Sequence, residues 1–100
     1  MATSKIKATT DTGWVTLSSS VNYRVRSGIV TIVVTNATIN TGTTTLGTLP
    51  EMARPTEEVD FLYRKGYTTC QGWITTEGYV RGASQSSASG YSATITYIAN

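Results

Sequence analysis

Three observations predict an all-β chain, an antiparallel β-sandwich of jelly-roll-like form. Thr occurs 20 times and Ser 10 times in 100 residues, and threonine's branched Cβ favours extended backbone while its hydroxyl bonds locally. Short runs of period two recur, each closed by Gly, Pro, Asn or Ser. The length suits one domain with one modest core. Residues 1–13 carry no sustained period and form an N-terminal arm or connector, ordered only if something packs on it, and residues 14–100 form a single β-sandwich domain.

Taken in order, "WVTLSSS" opens the structured part as a strand, with Trp14, Thr16 and Ser18 on one face and Val15, Leu17 and Ser19 on the other. Its pattern does not choose the buried face. Val21, Tyr23 and Val25 then alternate with Asn22, Arg24 and Arg26, so the two arginines point to solvent, and Ser27-Gly28 makes the turn. The run from Ile29 to Thr35 is apolar on both faces, which predicts a central strand or one buried against a second sheet or another subunit. "NTGTTTLGTLP" supplies a turn and a short strand that stops at Pro50, because proline cannot continue an interior ladder.

"EMARPTEEVD" holds Glu51, Glu57, Glu58 and Asp60, four of the six acids. Pro55, Thr56 and two glutamates resemble a helix start, but "VDFLYR" returns to period two, which favours a loop entering a strand over a single helical turn. Val59, Phe61 and Tyr63 share one face; Asp60, Leu62 and Arg64 share the other. After the turn "KGY", the stretch "GWITTEGYVRG" is a hairpin. A three-residue loop of Thr76, Glu77 and left-handed Gly78 sets Ile74 opposite Val80 and Trp73 opposite Arg81, matching apolar with apolar and laying an indole beside a guanidinium. "ASQSSASG" reads as a polar loop. The closing strand places Tyr91, Ala93, Ile95 and Tyr97 on one face, with Thr94, Thr96 and Ile98 on the other.

Composition narrows the chemistry. A net charge of +2, with no basic run longer than Arg64-Lys65, is too weak a field for nucleic acid. The absence of histidine and the single Cys70 leave too few ligands for zinc, and the acids match no calcium loop, so neither metal nor cofactor is expected. Cys70 itself is either a small core residue or a partly exposed thiol. Serines without a histidine, and Glu51 with Glu57 or Glu58 as solvated surface acids, give no catalytic set, and no enzyme is expected. No stretch approaches the roughly 20 apolar residues of a membrane span, so membrane insertion is not expected. Aromatic rings on a β scaffold leave binding. Trp14, Tyr23 and Tyr97 are expected in the core or at a subunit contact, whereas Trp73, Tyr79 and Arg81 form the best candidate patch, followed by Tyr67, Gln71 and Tyr91 near loops.

The strand "GWVTLSSSVNYRVRSGIVTIVV", the link "TLPEMARP", the hairpin "GWITTEGYVRG" and the ending "GYSATITYIAN" together resemble the small C-terminal β-domain of phage and prophage tail-fibre, baseplate or receptor-binding proteins. The likeness covers residues 13–100. Leu49-Pro50 followed by Arg54-Pro55 is similar to a recurrent link in such domains, and Thr76-Glu77-Gly78 is similar to their hairpin tip, where aspartate is more usual in the middle. The resemblance implies a non-catalytic homotrimeric head on the virion tail, made in the host cytoplasm. It would bind a host-envelope polysaccharide or surface receptor and contact other tail or baseplate proteins. Two other expectations stand beside it: a purely structural virion module, and a bacterial carbohydrate-binding module.

Overall fold

Eight antiparallel strands follow from the alternation just described: β1 (Val15–Thr16), β2 (Val21–Arg26), β3 (Ile29–Ile39), β4 (Gly42–Thr48), β5 (Val59–Lys65), β6 (Thr68–Ile74), β7 (Tyr79–Ser84) and β8 (Ala88–Ile98). The structure, a computed structural model, describes residues 11–99. The strands form one sheet in the order β1-β2-β3-β8-β5-β6-β7-β4, curled into a half-barrel. Strands β1 to β3 and β8 make one half of the curl, and the contiguous segment β4 to β7 makes the other. Between the strands of the two halves there is a single registered pair, Arg64 with Ser92, and beyond the strand ends Pro55 bridges Ala99.

The concave side is the core. Val21, Tyr23 and Val25 of β2, Val30, Ile32 and Val34 of β3, Tyr63 of β5 and Ile95 of β8 are all buried there, each fully buried aliphatic side chain contributing about 1.5–3 kcal/mol. The curl is tight enough for opposite strands to touch. A Cβ placed on Gly82 of β7 would lie 3.0 Å from Cδ1 of Ile39 in β3. At the sheet's two edges, a Cβ on Gly47 of β4 would lie 2.8 Å from Cδ2 of Leu17, just beyond β1.

Several local expectations are met and others corrected. Ser27 and Gly28 both take positive φ, at 52° and 79°, as a two-residue type I′ turn between paired Arg26 and Ile29 requires. Strand β3 is central, between β2 and β8, yet among the described residues no second layer covers its outer face: Ile29 there is 47 % exposed and its partner Ile98 is 76 % exposed. Strand β1 is only two residues long, with Trp14 outside and Val15 and Leu17 packed against the core, which resolves the face left open by the pattern. The helical turn exists, but before Pro55: Glu51–Ala53 is a 3₁₀ turn entered from Pro50, and Pro55 bridges Ala99. "ASQSSASG" is a loop only in its middle, because Ala83 and Ser84 complete β7 and β8 already begins at Ala88.

Part of the expected arm is docked. Thr12 donates its amide to the Val25 carbonyl at 2.9 Å, and the Asp11 carboxylate takes Nε and Nη2 of Arg24 at 3.0 and 2.7 Å. That guanidinium and the Gly13 amide pull the Asp11 carboxyl down from its ordinary 3.8 to about 2. Residues 1–10 of the arm lie outside the described residues.

Candidate ligand-binding face

The β6–β7 hairpin has the register predicted from its side chains. Trp73 pairs with Arg81 and Ile74 with Val80; the Thr75 amide donates to the Tyr79 carbonyl at 3.1 Å and the Gly78 amide to the Thr75 carbonyl at 2.9 Å. Gly78 has φ +93°, the left-handed geometry that closes the loop. The link before β5 braces the same tip. The Leu49 amide donates to the Gly78 carbonyl at 2.8 Å, while Nε of Arg54 donates to the Leu49 carbonyl at 3.1 Å. Leu49-Pro50 and Arg54-Pro55 therefore clamp the hairpin, and a ligand is not needed to account for them.

Outward, the register builds a row across four strands. Asp60 of β5 lies opposite Trp73 of β6, Trp73 opposite Arg81 of β7, and Arg81 opposite Thr45 of β4. The row holds, in sequence, a carboxylate, an indole, a guanidinium and a hydroxyl. Neighbouring strands lie about 4.8 Å apart, so the Asp60 and Arg81 backbones stand about 10 Å from each other with Trp73 between them. Arg81 lies over Tyr79 of its own strand, 4.5 Å from the ring centroid, and its Nε donates to the Thr45 hydroxyl at 3.2 Å. The expected cation–π partner was Trp73. Thr45 sits on the far side of β7 from Trp73 and holds the guanidinium there, which hands the contact to Tyr79.

Beneath this face, Tyr63 donates its hydroxyl to the Arg81 carbonyl at 3.2 Å. Its ring occupies the space over two glycines that face each other, Gly72 and Gly82: a Cβ on either would come within 2.8 Å of Tyr63 Cε2. Burial pushes the Tyr63 hydroxyl well up from its ordinary value, so it stays a donor. The backbone under Arg81 is thus held from inside.

The remaining candidates are dispersed. Gln71 is exposed on β6, two residues along from Trp73, and Tyr67 stands fully exposed at the β5–β6 turn. Tyr91 is corrected to a core residue at 2 % exposure, paired with Ala37 and closing the bottom of a depression of about 530 Å³ lined also by Thr68, Cys70 and Ser84. Cys70 is buried and unpaired, and burial raises its thiol. Asp60 and Thr45 were missed as site residues. The outward parity of Asp60 was readable from "VDFLYR"; the place of Thr45 depends on β4 pairing with β7, which no local pattern announces. Among the described residues no three His, Cys, Asp or Glu side chains converge as a metal site. No family model matches the chain, and no curated protein matches it in sequence.

Proposed function

We propose that the chain is the receptor-binding head domain of a phage tail fibre or baseplate, recognising a host-envelope saccharide without catalysis. The observation that carries this is the outward row Asp60–Trp73–Arg81–Thr45, with Tyr79 under the guanidinium. A sugar ring laid on Trp73 meets a carboxylate that accepts from its hydroxyls on one side, and a neighbouring ring reaching across β7 meets the guanidinium held over Tyr79. Such a face stacks apolar C–H groups and reads hydroxyls together, which is what a saccharide demands of a β surface. The resemblance in the succession of sequence segments and in the hairpin tip supports the same assignment to a virion tail.

In its finer form the proposal makes the curled sheet a jelly-roll-like sandwich head working as a homotrimer. Exposed Trp14, Ile29 and Ile98 on the outer side of β2, β3 and β8 would then pack against a neighbouring subunit. The same patch favours the alternative of a purely structural virion or baseplate module. An envelope-polysaccharide array that includes the correct host decides between them. W73A or R81A should weaken glycan binding at least about tenfold, or about 1.4 kcal/mol, with oligomer mass and melting temperature unchanged. Loss of assembly without any glycan binding by the parent protein would favour the structural module.

A further inference from the structure

Where β5 parts from β8, the outer surface opens into a groove of about 680 Å³. Val33, Ser92 and Thr94 form its floor, Leu62 and Arg64 one wall, and Lys65 with Gly66 its end. The cause is topological. Arg64 and Ser92 are the one registered pair between these strands, so β5 swings away to follow β6 while β8 stays beside β3.

Every ionisable group lining the groove is a cation: Arg64 and Lys65. Among the described residues both ion pairs within 4.0 Å use Asp11, on the other side of β3, so neither cation is spent on a carboxylate of the described residues. The Lys65 stem is steered across Gly90, where a Cβ would stand 3.6 Å from Lys65 Cε. Thr35, Ser92 and Thr94 add hydroxyls that donate or accept, and Leu62, 61 % exposed, offers an apolar contact beside them. Two adjacent cations, a fringe of hydroxyls and an apolar wall match one kind of ligand: a polyhydroxylated chain that carries oxyanions.

We propose that this groove is a second binding site, which takes the carboxylate or phosphate of an anionic glycan. Arg64 grips the oxyanion with its planar fork, Lys65 adds a point charge, and the hydroxyls meet the flanking sugar or polyol. The site is separate from the row through Trp73 and does not rest on it. Carboxylate and phosphate share this chemistry, so the experiment distinguishes their sources.

The full chain is titrated by calorimetry at low salt with three oligomers of equal length, a uronic-acid oligosaccharide, a glycerol-phosphate oligomer and a neutral glucan, and with oligothymidylate as a nucleic-acid control. At least one anionic oligomer should bind about tenfold more tightly than the glucan, and added salt should erase the difference. R64Q/K65Q should lose the preference with its melting temperature unchanged, whereas W73A should keep it. In amide spectra of the unmodified protein, the anionic oligomer should shift Gly66, Ser92 and Thr94. The proposal is overturned if neither anionic oligomer outbinds the glucan, if R64Q/K65Q retains the preference, if shifts are confined to the Trp73 hairpin, or if oligothymidylate binds more tightly than either. Glucan binding abolished by W73A with no anionic preference would sink the groove and leave the hairpin face standing. The converse pattern would do the reverse.

Discussion

At Gly78 a side chain would meet three obstacles together: a φ of +93°, the Leu49 carbonyl 2.8 Å from the new Cβ, and the Arg54 Nε at 3.0 Å. The first was legible, because a left-handed residue is needed to bring Ile74 opposite Val80. The other two were not, since they depend on a segment more than twenty residues earlier folding back over the hairpin. Arg81 shows the same limit. Its cross-strand partner Trp73 could be read from the loop length, but the Thr45 hydroxyl that turns it toward Tyr79 comes from a strand paired at long range. Asp11 carries the prediction at this scale. Its carboxyl is depressed from 3.8 to about 2, first by the Arg24 hydrogen bond and then by the Gly13 amide. A lowered folded value means that the docking it supports is complete above pH 3.8 and is lost as pH falls toward 2. A carbon-13 titration should find the Asp11 midpoint near 2, and R24A should return it toward 3.8; a native midpoint at 3.8 would refute the contact.

Strands were readable wherever one face is buried, because period two then leaves a clean trace, as in β2 with Val21, Tyr23 and Val25 inside. The trace failed where side chains are small. Ala88, Ser89 and Gly90 belong to β8 yet look like loop, and Gly72 and Gly82 at the two ends of the hairpin stretch look like punctuation. Those two glycines are a packing device: they face each other across β6 and β7 and leave room for the Tyr63 ring. Filling that room should be costly. G82A places a methyl 2.8 Å from Tyr63 and 3.0 Å from Ile39, and overpacking of this kind costs about 1–3 kcal/mol. A urea midpoint lowered accordingly, with the denaturant slope unchanged, is the expected result. An unchanged midpoint would show that Tyr63 moves aside freely.

For the whole molecule, all-β class and one core were legible from composition and periodicity, whereas the strand order was not. Strands β3 and β8 are neighbours in the sheet but are separated by the entire β4 to β7 segment, a pairing that no short-range signal encodes. The apolar outer residues of β3 were rightly noticed, yet within this chain they face outward with Ile98 and Trp14. If that patch is a subunit contact, light scattering at high concentration should return a trimer and I29E/I98E a monomer that still folds. A parent protein that is monomeric throughout would rule out the trimeric head.

The Thr12 amide bonds to Val25 and the Ala99 amide bonds to Gly28, so the described chain enters and leaves beside the same β2–β3 turn. Anything joined to either end is consequently tethered at one pole, and the Gly66–Tyr67 turn of the opposite pole points away from the tether. Tension between the two ends would peel Asp11 from β2 and β8 from β3 one hydrogen bond after another, rather than shearing a whole ladder together. A domain of this geometry therefore yields stepwise, not all at once, when it is pulled by its two ends.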